Sequence, residues 1–264
     1  MNVAEKGKNM RELPSDTVIP KKVMNKPISI EDPDDTTWCM FPAIIQCADQ
    51  ELLVSYYRGT GHSTPVTPAT PRSGRVEHIR SRDGGKSWGP PTVVFDTEND
   101  DRETALTRMN DGTIYLTINT QPIKRPVPDE SRCWSYVLRS KDEGHTWEQL
   151  GHIHRPGSTE WDLFVYRPLI EFPDETLAAT GMTEGPSLLD GSLSTDTNQH
   201  MIAFSRDGGR TWGEHRTIAY DPERRLSFRE WNAVLLPSGK LLAMQEPFGD
   251  SRFNVPFEIT REQV

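Results

Sequence analysis

SRDGGRTW, residues 205–212, is written twice more in the chain with small changes, as SRDGGKSW at 81–88 and SKDEGHTW at 140–147. The copies lie roughly 60 residues apart, a period that invites a search for matching surroundings. Each is preceded by a short alternating stretch (RVEHIR, WSYVLR, MIAFSR) and followed by another (TVVF, EQLGHI, HRTIAY). Period-2 alternation on both sides of an Asp- and Gly-rich phrase is the signature of a β-hairpin turn. The Asp carboxylate can accept backbone N–H groups within the turn, and the Trp can pack beneath it.

A second hairpin precedes each of these. FPAIIQ-CADQ-ELLVSYY, TALTRM-NDG-TIYLTI and RPLIEF-PDE-TLAATG read strand, tight turn, strand, and NAVLLP-SG-KLLAMQ follows as a fourth copy. A unit is therefore an inner pair, a long loop and an outer pair. Four-stranded antiparallel units in series are the sequence form of a β-propeller, and no helical periodicity of useful length competes.

The phrase S-x-D-x-G-x-T-W resembles the Asp-box, or BNR repeat, of the sialidase (neuraminidase) superfamily. Its residues here are Ser81, Asp83, Gly85 and Trp88; Ser140, Asp142, Gly144 and Trp147; and Ser205, Asp207, Gly209 and Trp212, with Ser87 where the motif has Thr. The resemblance runs from about Asp34 to the C-terminus and implies an all-β, sialidase-like propeller of the six-bladed type. This chain writes three full blades and one partial one, so the expectation is an incomplete propeller over residues 33–264. Thr260, Arg261 and Glu262 stand where the fourth box would begin. Residues 1–32 form a separate N-terminal segment able to supply a ring-closing strand.

In such units the tight turns and box turns share one face, and the long loops share the other. RGTGHSTPVTPATPRSG, NTQPIKRPVPDESRC and MTEGPSLLDGSLSTDTNQ belong to the second face, where binding and catalysis on a rigid scaffold concentrate. The boxes are thus structural. Arg102 and Arg229 each stand ten residues before the glycine of the next tight turn, Gly112 and Gly239, and Arg167 stands eight before Glu175. A displacement of two keeps the same strand face, so the three guanidiniums are candidates for a shared carboxylate grip. The alternative for each is a local ion pair.

Sialidases bind the substrate carboxylate through three arginines, the first within a Tyr/Phe-Arg-Ile-Pro motif. Tyr166-Arg167-Pro168 is similar without the Ile, Phe228-Arg229 keeps the aromatic-Arg pair, and Arg102 keeps the position. The resemblance also implies an acid/base Asp in the loop after a blade's second strand. Asp129 holds that place relative to Arg102, and Asp190 and Asp196 hold it relative to Arg167. The family's nucleophile is a Tyr assisted by a Glu; Tyr166 and Tyr220 are the candidates, with Glu230 or Glu103 as partner.

A net charge of −9 disfavours nucleic acid and anionic membrane as partners, and no apolar run is long enough to span a bilayer. The N-terminus lacks a signal-peptide pattern, and Cys39, Cys47 and Cys133 are an odd number without C-x-x-C spacing. Both point to reduced thiols and a cytoplasmic protein, with secretion left open if the N-terminus is incomplete. His152 and His154 share a strand face, but two histidines without a third ligand at metal spacing read as a polar face, so no metal or cofactor is expected.

The expected function is a sialidase-like exo-glycosidase releasing a terminal acidic sugar. The expected partner is a carbohydrate, with self-association if the ring is incomplete. Two alternatives stand beside it: a non-catalytic propeller that binds glycan or protein, and a polysaccharide lyase, for which His62 and His200 would be the residues to watch.

Overall fold

A computed structural model of the chain describes residues 38–48, 50–59, 74–121, 133–157, 162–186, 193–221, 227–248 and 257–259, all within the unit Asp32–Val264. Four antiparallel sheets follow one another along the chain. The first comprises β1 (Trp38–Gln46), β2 (Leu52–Gly59), β3 (Arg75–Ser81) and β4 (Thr92–Phe95). β5 (Asp100–Arg108), β6 (Ile114–Gln121), β7 (Trp134–Ser140) and β8 (Glu148–His152) form the second. The third holds β9 (Ile170–Glu171), β10 (Leu177–Pro186), β11 (Leu193–Ser205) and β12 (Gly213–Ala219). β13 (Ser227–Leu235), β14 (Leu241–Phe248) and β15 (Phe257–Ile259) complete the fourth. In every sheet each strand pairs with its neighbour in the chain, a simple meander. This is the blade pattern of a β-propeller, as the alternation and turn spacing predict. No helix among the described residues is long and apolar enough to cross a membrane.

The core is layered between successive blades. Leu53, Val76 and Leu106 pack with Ile114, Leu116 and Leu138 between the first and second. Val137, Ile153, Leu163 and Leu177 do so between the second and third, and Ile170, Ile202, Trp231 and Leu241 between the third and fourth. β6, with blades on both sides, is buried along nearly its whole length. Each fully buried Leu or Ile contributes about 1.5–3 kcal/mol relative to exposure, so stability accumulates blade against blade. Ile44 on β1, and Val234 and Met244 on the fourth sheet, are large apolar side chains on exposed faces.

The repeated phrase makes one hydrogen-bond pattern three times. In the first box the Ser81 hydroxyl donates to Asp83 Oδ1 (2.8 Å) while its oxygen accepts from Gly85 N–H (2.8 Å). Ser87 N–H and Oγ–H then bind the two Asp83 oxygens at 2.9 and 2.6 Å. Ser140, Asp142, Gly144 and Thr146 repeat it, as do Ser205, Asp207, Gly209 and Thr211. Each later box also docks on the preceding blade. Tyr115 of β6 donates to Gly208 O (3.0 Å), Arg80 of β3 donates to Glu143 O (2.6 Å), and the His78 ring meets Trp147 edge-on at 5.3 Å. A Cβ on Gly144 would lie 2.7 Å from Leu53, so the motif glycine is also a packing requirement. The phrase therefore stabilises its own turn and clamps it to the neighbouring blade.

The inner strand of the third blade departs from expectation. RPLIEF reads as a continuous strand, yet only Ile170–Glu171 pairs in a ladder, with one further bridge between Phe164 and Met182. Pro168 has no N–H to give. The amides of Val165 and Leu169 turn sideways to the second blade, to Ser135 Oγ and Thr107 Oγ1, both at 2.8 Å. The N-terminal segment 1–32 and the positions of Thr260, Arg261 and Glu262 lie outside the described residues.

Candidate active site

Every inner strand carries an irregularity at the same level, toward the long-loop end. On β1, Phe41 and Pro42 oppose the single residue Tyr56; on β5, Arg102 and Glu103 oppose Asn119; on β13, Arg229 is the extra residue between Phe228 and Glu230. In the third blade, five residues from Val165 to Leu169 face three on β10, and Arg167 is among them. A bulge re-aims side chains and ends regular pairing, and such features collect beside functional sites. Three of the four hold the arginines singled out from the sequence.

Arg102 is 4% exposed. Its guanidinium lies 3.6 Å from Asp100 Oδ2, donates to Gln121 Oε1 (3.4 Å), and sits over the rings of Phe41 and Tyr57 at 5.6 and 6.0 Å. Its buried Nε–H has no hydrogen-bond partner among the described residues. Tyr57 forms one wall because its side chain lies against Gly59 and Gly74, where a Cβ would stand 2.0 Å from its hydroxyl oxygen and 1.7 Å from a ring carbon respectively. The Tyr57 hydroxyl and Gly74 N–H both reach Asp100 Oδ1, at 3.3 and 2.8 Å. Burial and the Asp100 charge push the Tyr57 phenol well above its ordinary range, so it stays protonated. Next in the chain, Asp101 is fully buried and accepts from Thr97 N, Thr97 Oγ1 and Thr120 Oγ1. Burial outweighs those bonds and raises its carboxyl to about 6.

Arg167 stacks over the Tyr166 ring at 4.6 Å, and its Nε donates to the Trp231 carbonyl of the fourth blade. Tyr166 is 8% exposed, its hydroxyl 3.4 Å from His200 Nε2; the His200 ring lies 5.0 Å from that of Trp231. A buried polar seam joins the second and third blades nearby. Glu103 Oε2 accepts from Asn119 Nδ2 (3.1 Å), Asn119 Oδ1 accepts from Ser135 Oγ, and Ser135 also bonds Leu163 O and Val165 N. Arg102 thus belongs to the junction of blades one and two, and Tyr166 and Arg167 to that of blades three and four. Arg229 and Glu230 sit on β13, their side chains outside the described residues, as are Asp129, Asp190, His62 and the side chain of Asp196.

Sequence reading passed over Tyr56–Glu77. Tyr56 OH donates to Glu77 Oε2 (2.7 Å), both residues are buried, and Arg75 binds the other oxygen at 2.6 Å. It is a Tyr–Glu couple, but the two are cross-strand neighbours on β2 and β3. Side chains alternate along β2, so Tyr56 points away from Ser55 and Tyr57, which reach the second blade. Burial, then Glu77, raises the phenol far above its ordinary range, which suits structure rather than attack. Among the described residues one group has metal-ligating chemistry: His152, His154 and Asp162.

No known protein family's sequence profile matches the chain, and no curated protein matches it in sequence. Solved structures do. A protein of unknown function from Dyadobacter fermentans is 20% identical, with a TM-score of 0.64 over 81% of this chain and 63% of its own. A Hadza microbial sialidase is 17% identical, with a TM-score of 0.58 over 83% of this chain and 43% of its own. A Penicillium chrysogenum α-L-arabinanase complexed with arabinobiose is 19% identical, with a TM-score of 0.57 over 79% and 57%. At these identities the likeness is one of fold, and the chain spans less than two thirds of each of these proteins' length.

Proposed function

We propose that this chain is propeller from a sialidase-like exo-glycosidase that binds and hydrolyses a terminal acidic sugar. The observation that carries the reading is the placement of Arg102, Arg167 and Arg229 in equivalent irregularities of three inner strands, at the long-loop end. Arg102 adds a buried N–H with an unmet bond, preorganised by two aromatic faces. A preset, desolvated donor aimed at a fixed charge is worth far more than one in water. In this reading the arginines hold the carboxylate and Asp129 protonates the leaving oxygen. Tyr166 attacks the anomeric carbon, its proton accepted by Glu230 or by His200, whose Nε2 already lies within reach. Water then releases the sugar. The fold shared with a sialidase and an arabinanase supports a glycosidase in general.

A neutral furanoside is the second reading, favoured by one observation: Asp100 already balances the Arg102 charge at 3.6 Å. The two are separated by aglycone release from aryl α-sialoside, aryl uronide and aryl arabinofuranoside. The first reading expects turnover of an acidic glycoside alone, falling by about 10²-fold or more in kcat/KM for Arg167→Ala, on the scale of losing a transition-state donor. Turnover of the arabinofuranoside alone would establish the second, and no turnover of any would return the chain to a binding role.

A further inference from the structure

We propose that His152, His154 and Asp162 form a binding site for a divalent transition-metal ion, zinc above others. One ligand atom from each lies within 4.8 Å of the other two. His152 ends β8 and His154 follows two residues on, with ring centroids 6.2 Å apart and planes at 79°. Asp162 returns to them because its N–H bonds Cys133 O at 2.9 Å, next to the start of β7. Its carboxylate is 5% exposed, with Oδ1 3.0 Å from His154 Nδ1 and 3.1 Å from the Arg155 amide.

The fit to a metal follows from distances. A tetrahedral zinc with bonds of about 2.0–2.2 Å keeps its ligands about 3.3 Å apart. His154 and Asp162 are already that close, so closure needs at most about 1.5 Å of movement by His152, which a rotamer adjustment of an exposed side chain supplies. Two imidazoles and one carboxylate suit zinc and its transition-metal neighbours, whereas calcium and magnesium favour oxygen donors throughout. Three protein ligands leave a fourth position for water. The neighbouring charges are compatible. Arg155 Nη1 donates to Thr183 Oγ1 at 2.8 Å, so the nearest guanidinium is already engaged. The ion would tie the end of the second blade's outer strand to the residue that opens the third blade's inner segment, Leu163 to Arg167. It would therefore brace the backbone carrying Tyr166 and Arg167. This inference is independent of the glycosidase reading.

The test is titration of the chelator-treated protein with zinc chloride by calorimetry and with cobalt(II) by visible absorption. The expected result is one saturable ion per chain and ligand-field bands for cobalt. His152→Ala and His154→Ala should each weaken binding by more than the roughly 10–100-fold that losing an outer-shell partner costs. His145→Ala, an exposed histidine in the second box turn, should bind as the parent does. Asp162→Asn should behave like the histidine variants, and if it fails to fold the two histidine variants decide alone. Absence of saturable binding, or binding unchanged in both histidine variants, would overturn the site.

Discussion

Arg102 owes its position to two residues that have no side chain. Tyr57 can lie beneath the guanidinium only because Gly59 and Gly74 leave its side chain room, and the same Gly74 donates its amide to Asp100. A methyl at Gly74 would stand 1.7 Å from the ring, and neither the backbone nor a buried aromatic yields cheaply. Gly74→Ala is therefore expected to cost about 1–3 kcal/mol, as overpacking does, measured by urea unfolding. It should also weaken any ligand held by Arg102; unchanged stability would show that Tyr57 relocates freely. In the sequence Gly74 is an unremarked member of a long loop, because what it touches is fixed only by the pairing of β2 with β3. Arg102 was legible as a candidate by its distance from a turn, but its aromatic walls were not. Phe41 and Tyr57 come from a different blade.

At the scale of elements, strands and box turns were readable because their signals are local: period-2 alternation, Asp and Gly in fixed order, Trp at the end. Irregular pairing was not, since two residues opposing one is a property of a strand and its partner together. The broken inner strand of the third blade is the sharpest case, where hydroxyls of Ser135 and Thr107 on the second blade draw off the amides. The boxes also make a prediction about acid. Hydrogen bonds from Ser87 and Ser81 hold the Asp83 carboxyl down at about 2; for Asp207, burial opposes but the bonds from Thr211 and Ser205 prevail, again to about 2. A carboxyl lowered in the folded state contributes stability above its unfolded value near 4, and that contribution is lost as pH falls toward 2. Melting temperature should therefore drop across that window. Asp207→Asn should be less stable at pH 7 and show a shallower drop; a parallel curve would mean the box carboxylates do not act through ionisation.

For the molecule as a whole, successive blades bury their faces against one another, with the box turns at one end of the strands and the inner-strand irregularities toward the other. One end holds turns, clamps and ion pairs such as Arg108–Glu143 and Arg210–Glu148. Toward the other end lie the inner-strand irregularities, the buried Arg102 and the Tyr166–His200 pair. Which end of the strands carries the box turns was legible from strand order alone. The third metal ligand was not, because Asp162 stands ten residues from His152 and meets it only through the turn between two blades. The most direct test of the central claim is calorimetric titration with a dehydrated sialic-acid analogue, comparing the parent protein with Arg102→Lys and Arg167→Ala at a temperature where all are folded. The account predicts saturable binding that either substitution weakens, and a ligand at a hundred times its Kd should stabilise the parent by about 2.7 kcal/mol. Binding unaffected by both substitutions, or no binding by a folded parent, would contradict an arginine-lined carboxylate site at the long-loop face.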